Sequence, residues 1–545
     1  MSTPETPPRP PEPPASTGAA ATSPIAVGED ERKLAELGYR QELSRAWSGF
    51  TNFAISFTII SVLAGTWTTF GTAWNNGGPV NISIGWPVIC AFVLLVALSM
   101  AELTSAFPTA GGPYWWAAKL GGAGWSWMTG WFNIVGLVGI VASVGYGAAT
   151  FLNITLGVYG LDVFGVNFAD TRHYLGEQFG LYVLVLLLYT AVNVFGDRLL
   201  ALFNNISVGW HVLGVAVIIA LLVFLPNDHQ NADFVFTEKL NLVGFGHGSL
   251  TSLAFWALVL PQGFLLTMYT QTGYDASAHT AEETKGASIA AAQGVWRSVF
   301  WSAVIGWFVL LALLFAATDV NAINDAGGAS NSIVTTALSG DLWAAKMVLI
   351  IVTVGQLFCG AAGLTSASRT WYAFSRDRGM PGWWLFRRLN RDKVPLYAVM
   401  AVAVASLLIG IPALWSTDAA PTFPWAFFAV VGICTVGLYI AYTIPIYLRL
   451  RQGENFERGP WNLGSRYRWI NAIAIIWVAF TVIVFCLPFS PAGVPWFDEF
   501  DAPAFNYTPL VLVVGILVAI WWAVSAKNRY TGPVRTLEED EVTRD

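Results

Sequence analysis

The chain has 545 residues, of which 55% are hydrophobic and only 11% are charged, and its formal net charge is −6. A soluble globular protein carries about 25% charged residues, so this composition excludes a soluble domain and indicates a polytopic membrane protein. The acidic balance provides no basic surface on which to expect nucleic acid. The four cysteines lie singly in apolar stretches, so we predict neither a metal site nor a disulfide.

Both ends of the chain are predicted to be tails. Residues 1–28 are rich in proline, too poor in apolar residues to order themselves, and without the apolar core of a signal peptide. Residues 29–45 have helical spacing, which predicts a short lead-in helix. We therefore expect residues 1–45 to form a disordered cytoplasmic tail that ends in this helix, and residues 527–545 to form a second cytoplasmic tail.

Twelve apolar segments follow the lead-in helix, each near the ~20 residues that a membrane-spanning helix needs. We number them spans 1 to 12 and predict them at 47–74, 82–106, 123–150, 179–196, 200–225, 250–281, 292–317, 343–373, 395–413, 423–447, 469–488 and 507–526. If the N-terminus is inside, all 28 Lys and Arg except Arg172, Lys239 and Lys346 fall on the inner side. This distribution satisfies the positive-inside rule and favours an even number of spans with both termini inside.

Spans 1 and 6 turn polar halfway across the predicted bilayer. Span 1 carries small and hydroxyl residues at 61–69, and span 6 breaks into hydroxyls, an amide, a glycine and an acid at 267–275. Polarity at membrane depth has to be hidden in protein or in a water-filled cavity. The two spans are five apart and so enter from opposite sides, which is typical of an inverted-repeat secondary transporter with a midplane site.

Unwound helices expose backbone N–H groups, which suit a carboxylate, and C=O groups, which suit an ammonium. Such a site binds a zwitterion without a charged side chain. The predicted substrate-binding residues are Leu63, Ala64, Gly65 and Thr66 in span 1 and Tyr269, Thr270, Gln271, Thr272 and Gly273 in span 6. Tyr269 is either a lid over the substrate or an ordinary packed aromatic residue.

The end of span 2 reads A-E-L-T-S-A-F-P-T-A-G-G at residues 101–112, where Pro108 and the two glycines should stop the helix and turn the chain back. This stretch, together with residues 368–381 after span 8, resembles signatures of the amino acid–polyamine–organocation permease superfamily. Residues 52–61, 76–80 and 273–285 are similar to its amino acid/choline transporter branch. That branch includes GABA permeases, plant bidirectional amino acid transporters and fungal choline permeases, and the resemblance covers roughly residues 40–530.

The resemblance implies an all-α membrane protein with twelve transmembrane helices. Spans 1–5 (residues 46–225) and spans 6–10 (residues 250–447) would form a five-plus-five inverted repeat with discontinuous helices 1 and 6. Spans 11 and 12 (residues 469–526) would be two peripheral helices.

Several side chains are candidates for coupling or gating. Asp275 matches a gating glutamate of some relatives, although an aspartate there could equally cap the short helix that follows. His211 falls where sodium-independent relatives carry a lysine in place of a sodium ion, and the alternative is a hydrogen-bonded structural histidine. Glu282 and Glu283 are expected to form an inner-gate or folding motif, paired with Lys285 or the arginines of span 8, and the alternative is contact with the substrate. Thr365 and Ser366, with Ser368, could instead supply oxygens to a sodium ion.

The resemblance and the residues together predict a secondary active permease of the plasma membrane rather than an enzyme. A neutral amino acid or GABA is the expected substrate, and a proton the expected coupling ion, with sodium as the alternative and no other cofactor. Choline or a polyamine is the second substrate hypothesis, and an amino acid sensor that does not transport is the hypothesis from another class. The expected partners are the small-molecule substrate and the lipid bilayer, and the oligomeric state is left open.

Overall fold

The computed structural model describes residues 28–161, 171–194, 197–415 and 425–534. The expected disordered tail at residues 1–27 and the C-terminal residues 535–545 lie outside the described residues. So do residues 195–196, at the end of predicted span 4, and residues 423–424, at the start of predicted span 10.

The described chain is nearly all helical. Ten helices are long and apolar enough to cross a membrane, and they coincide with predicted spans 1–5 and 7–11: Gly49–Asn75, Pro79–Ala106, Ala123–Val158, Tyr174–Val194, Leu200–Phe224, Ala287–Ala316, Leu342–Arg376, Leu396–Leu414, Ala426–Asn455 and Gly464–Phe485. Two shorter apolar helices, Phe255–Thr270 and Leu510–Val524, coincide with predicted spans 6 and 12. Within the described ranges no β-strand forms, and β-type pairing is limited to two isolated bridges.

A short helix, Glu29–Glu36, precedes span 1, and short helices between spans lie at Pro113–Gly121, Ala232–Thr237, Val320–Asp325, Ser330–Ala337 and Trp383–Phe386. The lead-in helix ends at Glu36 and does not continue to residue 45 as the spacing predicted. Gly38 follows with a φ of 91°, a conformation that glycine adopts readily and that stops a helix. Tyr39 and Leu43 then bury their side chains in the bundle, so tertiary packing overrides the helical pattern.

Span 3 is longer than hydropathy predicted, because it continues to Val158 and not only to residue 150. Its last turns contain polar residues, including Asn153 and Thr155, which end an apolar pattern. Both are buried, and Thr155 Oγ1 lies 2.9 Å from Thr353 Oγ1 of span 8. Packing between the two spans therefore supports helix where composition does not.

Most charged connections lie at one end of the bundle, which we call the basic end and define by residues 28–48, 107–122, 282–286, 377–395, 453–466 and 525–534. The buried side chain of Asp377 joins several of these segments. It accepts hydrogen bonds from the hydroxyls of Tyr39 (3.2 Å) and Tyr114 (2.8 Å) and from the backbone N–H of Val534 (3.1 Å). The lead-in segment, the connection after span 2 and the C-terminal segment are thus held against the exit of span 8.

Spans 1 and 6 are neighbours that run in opposite directions. Asn52, near the start of span 1, donates to the carbonyl of Ser277, near the end of span 6, at 2.9 Å. Ser56, one turn further along span 1, donates to the carbonyl of Tyr274 at 2.9 Å. This antiparallel arrangement brings the polar middles of the two spans to the same depth.

Candidate functional site between the broken helices

Span 1 is interrupted where the sequence turns polar. Its first helix, Gly49–Ile60, ends at Ser61, whose φ of 28° is incompatible with a continuing helix, and its second helix, Gly65–Asn75, restarts four residues later. All residues of the interruption are buried. Among the described residues, the backbone N–H groups of Val62 and Leu63 have no acceptor. The start of the second helix therefore offers donors that suit an anionic group.

Span 6 is interrupted at the corresponding depth. The helix Leu265–Thr270 ends, and a four-residue helix, Ala276–His279, begins after a non-helical stretch. Gly273 lies in that stretch with a φ of 86°, in the left-handed region that glycine adopts at least cost. Its own N–H group and that of Tyr274 have no acceptor among the described residues.

The two interruptions are in direct contact. A Cβ atom built on Gly65 would lie 2.5 Å from Thr270 Oγ1 and 2.7 Å from Thr270 Cα, so only glycine permits this approach. A Cβ atom on Gly273 would overlap the Ile59 side chain and lie 3.5 Å from Ile140 of span 3. The structure thus brings the predicted segments of spans 1 and 6 together as one buried polar site.

The side chains around this site are uncharged and mostly bonded within the protein. The Tyr269 hydroxyl donates to Ser143 of span 3 at 2.9 Å, so the ring is fixed across the site and is buried. The Gln271 side chain lies 3.5 Å from Cys90 of span 2, while its other amide atom, Oε1, has no partner among the described residues. Thr66, Thr270 and Thr272 donate their hydroxyls to carbonyls of their own chain segments.

Side chains of span 5 and span 8 contact polar groups at the span 1 interruption. His211 is fully buried, with Nε2 2.7 Å from Ser61 Oγ and Nδ1 2.8 Å from the Ser207 carbonyl. Because a carbonyl only accepts, Nδ1 carries the hydrogen, and a neutral imidazole satisfies both contacts if Nε2 accepts from the Ser61 hydroxyl. The Cys359 thiol donates to the Ile59 carbonyl at 3.0 Å. His211 therefore lies at the interruption, as a coupling role would require.

The hydroxyls of span 8 that could serve a sodium ion lie further towards the basic end. Thr365 is six residues beyond Cys359, about 9 Å along the helix axis. Its hydroxyl donates to Asn193 Oδ1 of span 4 at 2.8 Å, and Ser368 donates to the Thr365 carbonyl at 2.9 Å. Ser366 Oγ is buried without a partner among the described residues. The contacts of Thr365 and Ser368 are with spans 4 and 8 and not with the interruption.

Asp275 is the acidic residue next to the site and is completely buried. Its Oδ1 accepts from the Tyr442 hydroxyl of span 10 at 2.7 Å, and its Oδ2 lies 3.1 Å from Asn133 Nδ2 of span 3 and 3.0 Å from His279 Nε2. Although it is the residue before the short helix, its side chain makes no capping hydrogen bond. Asp275 therefore connects spans 3, 6 and 10.

His279 connects Asp275 to the turn after span 2. Its Nδ1 lies 3.2 Å from the Ala110 carbonyl, and Gly112, with a φ of 48°, passes close to the ring. Both ring nitrogens thus face acceptor atoms, and the carbonyl requires a hydrogen on Nδ1. Nε2 then either donates a second hydrogen to the Asp275 carboxylate or accepts one from the carboxylic acid. Either way, one exchangeable proton lies between Asp275 and His279.

Sequence reasoning missed most partners of Asp275. Tyr442 and Asn133 lie in distant spans, and no local pattern connects them with residue 275. His279 is not among the predicted site residues, yet its spacing of four residues from Asp275 places the two side chains on one helix face, a signal that the sequence did carry.

Buried ion pairs close the basic end below the site. Arg376 Nη2 lies 3.3 Å from Glu282 Oε1, and Arg369 Nε lies 3.1 Å from Glu283 Oε1. The Ala110 backbone N–H also donates to Glu282 at 2.9 Å. The expected pairing of these glutamates with span 8 arginines is confirmed, whereas Lys285 is exposed.

A third buried pair involves the signature motif at the end of span 2. Glu102 Oε2 lies 2.9 Å from Arg449 Nε of span 10, and the guanidinium lies between the rings of Phe456 (4.0 Å) and Tyr467 (3.9 Å). At the opposite end of the bundle, a cavity of about 260 Å³ lies between Thr72, Leu265 and Phe489, among others. The ion pairs of Glu282 and Glu283 therefore lie between the interruptions and the basic end, and this cavity lies on the opposite side of the interruptions.

Two broken helices that meet inside a bundle of apolar helices are typical of a membrane transport protein. A family model described as amino acid permease matches residues 48–518, and the chain therefore belongs to the amino acid permease family. This confirms the resemblance that the signature motifs indicated, and the chain is a transport protein and not an enzyme.

Relatives align over nearly the whole chain. The amino-acid permease BAT1 of Arabidopsis thaliana is 37% identical over 524 residues, covering 93% of this chain and 96% of the relative. The amino-acid permease BAT1 homolog of Oryza sativa subsp. japonica is 36% identical over 521 residues, with the same coverage. The GABA-specific permease of Saccharomyces cerevisiae is 28% identical over 549 residues, covering 97% of this chain and 90% of the relative.

Proposed function

We propose that this protein is a secondary active permease for neutral amino acids or GABA. The contact between Gly65 and Thr270, which joins two interrupted helices into one buried polar site, is the observation that carries the proposal. The names of the relatives, amino-acid permease and GABA-specific permease, support the substrate class.

The substrate carboxylate would bind the free N–H groups of Val62 and Leu63, just before the second helix of span 1. The ammonium would bind carbonyls of residues 269–273, where the Tyr269 ring, held by Ser143, closes one side. The side chains that touch the interruptions carry no charge, and the nearby Asp275 is already bonded three times. A zwitterion fits this environment better than a polycation, which would need an uncommitted carboxylate.

The substrate would reach the site by alternating access. Spans 1, 2, 6 and 7 would rock against spans 3–5 and 8–10, as a five-plus-five inverted repeat with spans 11 and 12 outside it allows. The repeats are residues 46–225 and 250–447. We assign the basic end to the cytoplasm, since it carries most of the Lys and Arg. The chain would then sit in the plasma membrane with both termini cytoplasmic, and the ion pairs of Glu282 and Glu283 would form the inner gate.

A proton is the coupling ion that the contacts favour. The Asp275–His279 pair holds one exchangeable proton, and the groups that face it from other elements are Asn133, Tyr442 and the Ala110 carbonyl. Opening of the basic end would separate His279 from Ala110 and expose this proton. Each coupled charge adds about 2.3 kcal/mol of driving force per 100 mV of membrane potential. His211 is the second candidate carrier, and a sodium ion near Thr365 and Ser366 is the alternative.

Variants at Asp275 and at His211 distinguish the two candidate proton carriers. In proteoliposomes, Asp275→Asn should abolish accumulation driven by a pH gradient while substrate counterflow, which needs no net proton movement, persists. His211→Asn, which keeps a donor and an acceptor near Ser61, should retain gradient-driven accumulation. Loss of that accumulation in His211→Asn alone would assign coupling to His211, and a strict sodium requirement in the wild type would exclude proton coupling.

Competition for uptake tests the substrate class. Unlabelled GABA or neutral amino acids should compete with labelled substrate in proteoliposomes, while choline and putrescine should not. If only choline or putrescine competes, the chain is a choline or polyamine transporter. If labelled amino acid binds but does not accumulate in counterflow, the protein is a sensor and the transport proposal is wrong.

A further inference from the structure

A cavity of about 590 Å³ lies at the basic end. Its walls come from the turn after span 8, the end of span 12 and the start of span 3. The lining residues used below are Trp127, Arg378, Trp383, Trp384, Trp521 and Arg529. This cavity is separate from the buried site between spans 1 and 6.

The cavity collects positive charge that is not neutralised by the described chain. The guanidinium groups of Arg378 and Arg387 lie 5.2 and 4.9 Å from the ring centre of Trp383, and Arg529 donates to the Ser525 hydroxyl at 2.7 Å. Among the described residues, none of these three arginines pairs with a carboxylate. Arg378 and Arg529 line the cavity, and Arg387 lies against Trp383 of its wall, so the cavity presents an anion-binding surface.

The backbone holds Arg378 towards the cavity. Arg378 has a φ of 62°, which is uncommon for a residue with a side chain, and the Gly379 N–H donates to the Phe374 carbonyl at 2.8 Å. This turn ends span 8 and directs the chain onto Trp383. The adjacent carboxylate, Asp377, accepts hydrogen bonds from Tyr39, Tyr114 and Val534, none of them arginine side chains.

The aromatic walls place this cavity at the level of the membrane interface. Trp127 and Trp521 lie at the ends of membrane-spanning segments, and Trp384 is 59% exposed. Tryptophan concentrates where lipid headgroups meet acyl chains, and basic pockets between helices at this level bind anionic headgroups. We propose that this cavity binds the phosphate diester of an anionic phospholipid through Arg378 and Arg529, with its glycerol and upper acyl groups against the tryptophans.

The acidic C-terminal segment of the same chain is the competing occupant. Residues 538–541 read Glu-Glu-Asp-Glu and begin four residues after Val534, whose N–H is bound to Asp377 beside the cavity. That segment is charged but has no aromatic residue, whereas four tryptophans line the cavity. A lipid provides both the anion and the apolar surface, so the composition of the walls favours lipid.

Native mass spectrometry of the purified full-length protein tests this site. The protein is titrated with phosphatidylglycerol, with phosphatidylcholine of the same acyl chains, and with soluble glycerol phosphate. Two arginines near an anionic headgroup predict a preference of roughly 30-fold for phosphatidylglycerol over phosphatidylcholine. The double variant Arg378→Gln/Arg529→Gln should lose this preference, and Arg378→Lys/Arg529→Lys should keep most of it because the charge remains.

Two further variants serve as controls. Arg391→Gln/Arg466→Gln removes two exposed arginines of the basic end that do not line the cavity, and it should keep the preference. Neutralising residues 538–541 to Gln, Gln, Asn and Gln should also leave the preference unchanged. Equal binding of the two lipids by the wild type, or an equal loss in the control double variant, would overturn the proposal. So would binding that appears only after the tail is neutralised, or displacement of the lipid by soluble glycerol phosphate.

Discussion

Replacing Gly65 by alanine is the smallest change that should separate the two interrupted helices. The added Cβ would lie 2.7 Å from the Thr270 Cα, whereas ordinary contacts begin at 3.4 Å, so the Thr270 backbone has to move by about 0.7 Å. Overpacking of this kind costs ~1–3 kcal/mol, and alanine regains up to ~1 kcal/mol of helix propensity. The net cost to folding is therefore small, about 0–2 kcal/mol.

The displaced residue, Thr270, belongs to the proposed substrate site, so its movement should weaken substrate binding. If about 2 kcal/mol of substrate affinity is lost, binding weakens roughly 30-fold while the protein still folds. The assay is saturation binding of labelled GABA or neutral amino acid to purified protein, with thermal unfolding measured on the same sample. Gly209→Ala is the matched control, because a Cβ at Gly209 in span 5 meets nothing within 4 Å. Normal affinity in Gly65→Ala, or an equal loss in Gly209→Ala, would refute this reasoning.

Two further predictions concern charge at the basic end. Glu282→Gln leaves the Arg376 guanidinium buried without a charged partner and should destabilise the protein by about 3–5 kcal/mol, whereas Glu454→Gln, which disrupts exposed pairs, should cost less than about 1 kcal/mol. Equal shifts in thermal unfolding would show that the buried pair does not stabilise this end. Burial raises the pKa of Asp377 to about 6. Between about pH 4 and 6 the folded state therefore holds a proton that the unfolded state has released. The free energy of unfolding should fall as the pH rises through this window. Asp377→Asn should remove this pH dependence, which amounts to on the order of 3 kcal/mol in the free energy of unfolding. If thermal unfolding of the variant follows the same pH profile as the wild type, the prediction is wrong.

The sequence predicts the positions of the interruptions better than it predicts their partners. Gly65 and Gly273 stand among hydroxyl residues at membrane depth, and a local pattern of that kind is visible without a structure. The pairing of Glu282 and Glu283 with arginines could also be expected, because buried charges at membrane depth need partners. These features depend on composition and spacing within one segment.

Contacts between distant spans are not encoded in such patterns. Cys359 is a single cysteine in an apolar span with no motif around it, yet it donates to the Ile59 carbonyl that the interruption frees. Asn133 and Tyr442 are ordinary residues of spans 3 and 10 until folding places them on Asp275. The extent of span 3 was likewise decided by packing of Thr155 on span 8, which hydropathy does not measure.

A structure of the protein with a bound amino acid or GABA tests the central claim most directly. The account predicts ligand density between the two interruptions, with the carboxylate at the N–H groups of Val62 and Leu63 and the ammonium at the carbonyls of residues 269–273. Density in the cavity near Thr72 and Phe489 alone, with the two interruptions still in contact through Gly65 and Thr270, would contradict it.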